Sequence, residues 1–483
     1  MNSFFRRKRF TKEKNMIKFG TGGWRAIIGD DFNKENVYLV AQGICDLMKK
    51  EGKDELPVMI GYDRRFLSEA ASKWMAEVFA ANGIASWCMT RSAPTPLVMF
   101  TVKDQKLHYG VEITASHNPY DYNGIKLIVE EGRDASLECT ALLEELIAKA
   151  QVKAMPFEKA REQGLVTYLK APFNNFVDSI LSRLDVEKIR NADARVLFDS
   201  MHGSATYPMM AMLYSARCTM DLMNTNKDGY FGGNMPAPGY LQSAKLRTSV
   251  VEGGYDLGIE VDGDGDRLAI IDSDGTYIEA NQILVMLYYY LHEYRGWRGP
   301  VVRNIATTHM LDAVAKSFGE ECYEVPVGFK YISSKLDQTD AVLGGESSGG
   351  LTVRGHIYGK DSIYAAGLFV EMVCAIGKSV GEFWRELTDK YGTYVMVEDN
   401  IRFTPDEKEK VEKILMTDKK LPEFEERALT RVSYEDGVKF YFEDDSFVIC
   451  RFSGTEPLLR IFAESKTKES AAVLIECVKK IIF

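Results

Sequence analysis

The residues best equipped for chemistry form one short run, Asp262-Gly263-Asp264-Gly265-Asp266-Arg267. Apolar segments flank it, Leu257–Val261 before and Leu268–Ile271 after, so a strand is expected on each side. Alternate residues of an extended segment face the same way, and the two glycines let the backbone turn tightly. Three converging carboxylates repel one another unless a cation sits among them. A hard divalent ion with oxygen ligands, Mg²⁺ above all, suits such a set. The plainer reading is an acidic surface turn. A calcium-binding EF-hand is excluded, because its sixth and twelfth positions would be Arg267 and Ser273 instead of Gly and Glu.

Three further loops carry reactive or ligand-binding groups. Thr114-Ala115-Ser116-His117-Asn118-Pro119 follows the apolar segment Tyr109–Ile113 and presents a serine hydroxyl at a strand end, with Lys126 close behind. Taken alone it is a polar turn; beside a metal loop, Ser116 is a candidate carrier of a phosphoryl group. Arg451-Phe452-Ser453-Gly454-Thr455-Glu456-Pro457 joins a guanidinium to two hydroxyls and a bare backbone, which is the chemistry of phosphate recognition. Its alternative is a β-turn with an outward arginine. Gly344-Gly345-Glu346-Ser347-Ser348-Gly349-Gly350 places Glu and Ser on a glycine-rich turn, where they can bond vicinal sugar hydroxyls, or it is a flexible connector. Gly345-x-Ser347-x-Gly349 also fits the nucleophile elbow of α/β-hydrolases, but His356 follows too closely to complete that triad.

The elements that must position these loops read as strand-then-helix units. Pro57–Asp63 is a buried strand ending in a polar loop, followed by an amphipathic helix from Ser68 to Asn82 that Gly83 stops. The form recurs at Arg195–Asp199 and Ala341–Gly345. Such alternation predicts α/β domains with mixed, largely parallel sheets, whose ligands gather at the carboxyl ends of strands. Asp228–Tyr240 reads as a long loop. Beyond about Tyr391 three period-two runs (Lys439–Phe442, Phe447–Phe452, Leu458–Ala463) and a helix from Lys468 predict a small appended α+β domain. No short repeat is visible. The expected divisions are a disordered basic tail over 1–15, then units over 16–155, 156–276, 277–392 and 393–483.

Composition narrows the classes. With 483 residues, 46% hydrophobic and 27% charged, the chain suits several globular domains. A net charge of −10 argues against a nucleic-acid partner. The longest apolar run, Ile283–Leu291, is nine residues, too short to span a membrane. Eight scattered cysteines without a C-x-x-C pair suit a reducing compartment, so a cytoplasmic location is expected. Gly20–Arg25 is not a dinucleotide fingerprint, no Walker-A sequence is present, and the six histidines lack zinc-ligand spacing.

Together, and in this order, the four loops resemble those of the α-D-phosphohexomutase family, the phosphoglucomutases and phosphomannomutases. Phe19–Arg25, Asp199-x-x-His202-Gly203 and Val327-Gly328-Phe329-Lys330 add to the resemblance, which runs from about residue 17 to the C-terminus. It implies four domains around a cleft, three α/β and one TATA-binding-protein-like α+β module. It also implies a reaction: phosphorylated Ser116 converts a hexose phosphate to its 1,6-bisphosphate, which turns round and returns its other phosphate. By that resemblance Ser116, Lys126, Arg25 and His117 are catalytic, with Lys126 and Arg25 moving the hydroxyl proton and steadying the transferring group. Mg²⁺ is held by Ser116, Asp262, Asp264 and Asp266. Arg267, Gly328, Phe329, Lys330, Glu346, Ser348 and Lys360 bind substrate, and Arg451, Ser453, Gly454 and Thr455 hold the phosphate that is not reacting. The partners implied are small-molecule sugar phosphates, glucose 1,6-bisphosphate serving as intermediate and activator.

Departures from the family pattern bear on the substrate. Ala26 replaces a common Gly. Gly350 stands where the phosphomannomutase/phosphoglucomutase branch often has His, so the proton-handling role assigned to that His has no occupant here. His356-Ile357-Tyr358-Gly359-Lys360-Asp361 is similar to the His-Ile-x-x-Lys-Asp segment of the phosphoglucomutase branch, with Gly359 and Ser362 in place of Glu and Gly. This favours glucose over mannose. The phosphoglucosamine branch ranks lower, because it usually has an acidic residue where Gly22 or Gly23 stands. A non-catalytic sugar-phosphate sensor is the alternative from another class; it would have no need of Ser116, Lys126 and the Asp triplet.

Overall fold

Three times along the chain the same order of principal elements recurs: strand, helix, strand, helix, strand, strand. In the first unit these are Val58–Tyr62, Ser68–Ala81, Ser86–Cys88, Thr95–Asp104, Tyr109–Ile113 and Tyr122–Val129. In the second they are Arg195–Asp199, Thr206–Ser215, Thr219–Met223, Ala244–Gly253, Leu257–Val261 and Leu268–Asp272. In the third they are Val301–Asn304, Met310–Phe318, Cys322–Val325, Phe329–Thr339, Leu343–Gly345 and Leu351–Val353. Within each sheet the strands lie fourth, third, first, second. The first three run parallel and the fourth turns back antiparallel to the third. The structure is a computed structural model and describes residues 17–20, 22–424, 427–452 and 458–483; the tail expected over 1–15 lies outside the described residues.

The sheets are mixed, as expected: the first three strands of each unit are parallel and the fourth is antiparallel. The reason is functional geometry: the parallel-to-antiparallel switch in each unit is the hairpin that carries a candidate loop. Ser116 lies between Tyr109–Ile113 and Tyr122–Val129, the Asp run between Leu257–Val261 and Leu268–Asp272, and Glu346 between Leu343–Gly345 and Leu351–Val353. The first sheet gains Trp24–Ile27, antiparallel to Tyr122–Val129, and Val166–Tyr168, parallel to Ser86–Cys88. The latter strand carries that sheet past residue 155, where the sequence placed a division. The strand expected from Ala341 begins only at Leu343.

Local sequence explains the ends of the elements. Helix Ser68–Ala81 stops at Asn82, and Gly83 follows at φ 81° in the left-handed region that glycine tolerates. Helix Ser362–Ile376 starts where the Asp361 carboxylate accepts the N–H groups of Ile363 and Tyr364, at 2.8 and 3.1 Å. No single helix among the described residues is long and apolar enough to cross a membrane.

The C-terminal unit is a five-stranded antiparallel sheet ordered Val395–Arg402, Leu458–Ser465, Phe447–Phe452, Val438–Phe442, Leu429–Ser433. Helix Lys468–Ile482 covers one face through Leu474, Ile475 and Val478, as the change of pattern beyond about Tyr391 predicts. The unit is joined to the third unit by a small apolar cluster (Ile305, Ala306, Phe447, Ile449) and by a buried ionic knot. Lys439, with no exposed surface, donates to the Ile305 carbonyl (2.7 Å) and to Glu324 (2.7 Å) and lies 3.0 Å from His309 Nε2. Arg303 binds the same Glu324 oxygen at 2.7 Å and grips Asp312 with two bonds.

Burial and the nearby Arg303 guanidinium push the Lys439 ammonium down to about 7. The unfolded chain, where lysine titrates near 10.5, then binds more protons than the folded chain between these values, so stability rises with pH across that window. Calorimetric melting should therefore show a Tm that climbs from about pH 7 to about pH 9, with a flatter slope in Lys439→Met, whose thioether fills the same channel without a charge. An unchanged slope in the variant would remove Lys439 as its source.

Candidate active site

The site is assembled around the loop Asp262–Asp266. Asp262, Asp264 and Asp266 are buried, and one carboxylate oxygen from each lies within 4.8 Å of the others. The loop is fixed from three directions. Within its own unit, Ser204 donates its N–H and hydroxyl to the Gly263 carbonyl at 3.0 and 3.1 Å. From the first unit, Thr95 donates its N–H to the Asp264 carbonyl (2.9 Å) and its hydroxyl to the carboxylate (2.7 Å). From the third unit, the Ser362 hydroxyl donates to the Gly265 carbonyl at 2.6 Å. Ser362, a departure from the family pattern, thus adds a tether that glycine cannot supply.

Cations from two units neutralise the loop in part. Lys126 reaches Asp264 at 2.7 Å and Asp266 at 2.9 Å, and Lys360 reaches Asp266 at 3.1 Å. Burial works against the Lys126 ammonium, yet Asp264 and Asp266 outweigh it and hold the proton on. Burial, then repulsion from Asp264 and Asp266, raises the Asp262 carboxyl well above its usual range. Burial opposes ionisation of Asp266 too, but Lys126, Lys360 and Arg267 draw it well below. The buried Oδ1 atoms of Asp264 and Asp266 have no hydrogen-bond partner. Orphaned carboxylate oxygens on converging side chains fit a hard cation held by oxygen ligands.

Ser116 faces this loop. It is buried, adopts the left-handed conformation at φ 51°, and its Oγ donates to Asp262 at 3.1 Å. The neighbouring His117 Nδ1 lies 3.3 Å from the same Oγ. Burial first, then Arg267 and Arg25, keep the His117 imidazole neutral. Arg25 donates to the Asn118 side chain at 2.5 Å. A Cβ on Gly22 would stand 2.6 Å from Arg25 Nη2, and one on Gly23, at φ 95°, would meet the Ile125 carbonyl at 2.5 Å. The bare Gly22-Gly23 backbone is therefore what lets Arg25 and the strand of Lys126 come together.

What holds Ser116 in its unusual conformation is a residue that the sequence reading missed. Arg65, fully buried, donates to the carbonyls of Ser116 (2.5 Å), Asn118 (2.5 Å), Pro119 (2.6 Å) and Tyr122 (3.0 Å). Its Nε lies 3.3 Å from Asp63, which also accepts the Thr114 hydroxyl at 2.7 Å. Asp63-x-Arg65 follows a strand end, and that position was the available signal.

The loop Gly344–Gly350 is held with equal care. Glu346 is buried and accepts from Asn304 (3.3 Å), from the Gly328 N–H (3.2 Å) and from the Ser348 hydroxyl (3.3 Å). The Leu268 N–H donates to the Gly349 carbonyl at 3.1 Å, joining this loop to the strand beyond the Asp run. A Cβ on Gly350 would stand 2.2 Å from Lys360 Cδ, so the lysine stem fills the space of any side chain there. Lys360 Nζ also lies 5.9 Å over the Phe329 ring, which opens the helix that carries Lys330. A Cβ on Gly359 would meet Met99 Sδ at 2.0 Å, so a larger residue there requires the methionine to move. Arg267 sends its N–H to Asp262 at 3.0 Å, while its Nε stays 4.0 Å from Asp266, too long for a hydrogen bond. Arg451 sits at the end of Phe447–Phe452, paired with Asp436 at 3.0 Å; Ser453, Gly454 and Thr455 lie outside the described residues.

The four carbonyl contacts make a direct test. Arg65→Met should leave the fold intact by circular dichroism but lower kcat by about a hundred-fold, because Ser116 loses its fixed orientation. Arg65→Lys, with one compact charge in place of a planar fork, should recover only part of that loss. Turnover at the normal rate in Arg65→Met would show that the loop holds its shape unaided.

Known proteins share both fold and length with this chain. Its residues match four domain families of phosphoglucomutase/phosphomannomutase: alpha/beta/alpha domain I over 16–153, domain II over 174–275, domain III over 279–391 and the C-terminal domain over 398–480. A phosphoglucomutase/phosphomannomutase of Thermococcus kodakarensis is 28% identical over 458 residues, 95% of this chain and 96% of that protein. A phosphoglucosamine/phosphogalactosamine mutase of Sulfurisphaera tokodaii is 28% identical over 475 residues, 96% of this chain and 98% of that protein. The open form of Paramecium pp63/parafusin, a phosphoglucomutase, has the same fold with a TM-score of 0.81 at 20% identity, covering 96% of this chain and 94% of that one. With matches to all four domain families in order along its length, the chain belongs to the phosphoglucomutase/phosphomannomutase family and is a phosphohexomutase.

Proposed function

We propose that this phosphohexomutase interconverts α-D-glucose 1-phosphate and glucose 6-phosphate through phosphorylated Ser116 and a glucose 1,6-bisphosphate intermediate. The observation that carries the reading is Ser116 Oγ, 3.1 Å from Asp262 at the edge of a three-carboxylate cluster that Lys126 and Lys360 neutralise only in part. In the forward half-reaction the bond from phosphorus to Ser116 Oγ breaks and a bond to the sugar oxygen forms. The sugar hydroxyl gives up a proton and Ser116 Oγ gains one. His117, kept neutral 3.3 Å from Oγ, is placed to relay it. Lys126 keeps its proton and steadies the charge on the transferring group, and Arg25 contributes a second cation beside it. Mg²⁺, when bound by Asp262, Asp264, Asp266 and an oxygen on Ser116, supplies further charge neutralisation.

Glu346 and Ser348 are assigned to the sugar hydroxyls, and Gly328, Phe329, Lys330, Arg267 and Lys360 to the wall around them. Arg451, Ser453, Gly454 and Thr455 are assigned to the distal phosphate. Support for glucose comes from Lys360, whose stem fills the place that a side chain at position 350 would take. A second reading, an amino-sugar phosphate as substrate, is favoured by the name of the Sulfurisphaera tokodaii relative. Mannose is the third possibility. The reading keeps the divisions near 276 and 392 and moves the first beyond Tyr168. It places the enzyme in the cytoplasm, in keeping with eight free cysteines.

Ser116→Ala should lose nearly all turnover, and intact-mass measurement should find one phosphate on active wild type and none on the variant. Wild-type turnover by the alanine variant would end the phosphoenzyme reading. A coupled assay with the 1-phosphates of glucose, mannose and glucosamine should rank glucose first by kcat/KM; a higher value for either of the others would reassign the substrate. Asp264→Asn should weaken Mg²⁺ binding in calorimetric titration and lower kcat more than it raises KM. Full activity after exhaustive chelation would contradict the metal assignment.

A further inference from the structure

Arg451 and Glu346 belong to different units and, on the reading above, to opposite ends of the ligand, yet one side chain links them. Asp436 lies in the turn between Leu429–Ser433 and Val438–Phe442 of the C-terminal sheet. Its carboxylate takes two bonds from Arg451, Nε to Oδ2 at 3.0 Å and Nη2 to Oδ1 at 3.1 Å. The same Oδ2 accepts the N–H of Val327, in the third unit, at 2.8 Å. The next residue, Gly328, gives its N–H to Glu346 at 3.2 Å. A continuous chain of bonds therefore runs from the guanidinium, through Asp436 and one peptide unit, to the sugar-loop carboxylate.

The surrounding backbone leaves this arrangement little freedom. Gly437 adopts φ 80°, and a Cβ there would stand 2.1 Å from the Cys450 carbonyl and 3.1 Å from Arg451 Cα. The turn is thus pressed directly against the strand that carries Arg451. On the other side, Val327 packs against the apolar cluster of Ile305, Ala306, Phe447 and Ile449 that joins the two units. Gly328, at φ 131°, sits in a conformation that a side chain would strain. A bidentate carboxylate–guanidinium pair fixes the plane as well as the place of the guanidinium, which leaves its remaining N–H groups pointing in a set direction.

We propose that Asp436 is a positioning residue that couples the phosphate-binding and sugar-binding ends of the cleft, by orienting Arg451 and fixing the Val327–Gly328 backbone that holds Glu346. This rests on the assignment of Arg451 and Glu346 to substrate. The coupling is reciprocal: a phosphate held by Arg451 steadies the turn that presents Glu346, and a sugar held by Glu346 steadies the guanidinium. Discrimination between a hexose phosphate and free phosphate then comes partly from Asp436, which touches neither.

The test uses the full-length enzyme with Asp436→Ala, Asp436→Asn, Arg451→Ala and Glu346→Gln, each alone and with each Asp436 variant paired to the other two. KM and kcat are measured with glucose 1-phosphate, and inhibition constants with inorganic phosphate. Asp436→Ala should raise KM by about ten-fold or more with a smaller change in kcat, and should weaken phosphate inhibition. Asp436→Asn, whose one oxygen can still accept from both Val327 and Arg451 Nε but which loses the charge and the acceptor for Arg451 Nη2, should fall between it and wild type. In combination with Arg451→Ala or Glu346→Gln, the loss should be well short of the product of the single losses. If either Asp436 variant leaves KM unchanged, or its effect multiplies fully with both partners, the coupling is refuted; should Asp436→Ala fail to fold, Asp436→Asn decides on the same criteria. Unchanged KM and phosphate inhibition in Arg451→Ala alone would instead overturn the phosphate assignment of Arg451, a different failure with a different signature.

Discussion

Three carboxylates buried within a few ångströms of one another are expensive, and the arrangement of the first three units follows from meeting that expense. Lys126 comes from the first unit and Lys360 from the third, so the charge of Asp264 and Asp266 is balanced from outside the unit that bears it. The backbone is treated the same way, with Thr95 and Ser362 bonding carbonyls of the loop from either side. Removing one partner from such a buried set leaves an uncompensated charge, which costs several kcal/mol, about 3–5 in typical cases. The loop therefore does more than offer ligands. It ties the three sheets together by polar contacts beside the apolar core that the three units share.

The repeat explains why the pieces meet there. In each unit the third strand is parallel to the first and antiparallel to the fourth, so the connection between third and fourth is a hairpin at the carboxyl end of the sheet. One topological position presents three kinds of group: a hydroxyl at Ser116, carboxylates at Asp262–Asp266, and a carboxylate beside a hydroxyl at Glu346 and Ser348. The C-terminal unit has a different architecture and is attached differently, by the small apolar cluster and the Lys439–Glu324–Arg303 knot. Its link to the site chemistry passes through Asp436.

Much of this was legible in the sequence. The strand ends at Ile113 and Val261 were readable from apolar runs, and the Asp spacing announced convergence. The change to period-two pattern marked the last unit. What could not be read was long-range. The strand-end position of Asp63-Arg64-Arg65 marks it as near a site, but does not say that Arg65 will bond four carbonyls lying some fifty residues on, between Ser116 and Tyr122. The threefold repeat was hidden because the units share strand order while their residues differ. The departures at Gly359 and Ser362 had no meaning until Met99 and the Gly265 carbonyl were seen beside them. Gly350 stood out as a missing side chain, and only the packed structure shows that Lys360 fills its space.

The shared ownership of the Asp loop also bears on how the chain matures as it is made. Synthesis runs from the first unit to the last, and domains commonly fold in that order as they emerge. Here Lys126 is already present when the loop at 262–266 appears, but Lys360 and Ser362 are not. Until the ribosome has moved well past those residues, the second unit holds a cluster of anions that is only half neutralised. The second unit therefore gains the last partners of its loop, Lys360 and Ser362, only once the third unit has been made.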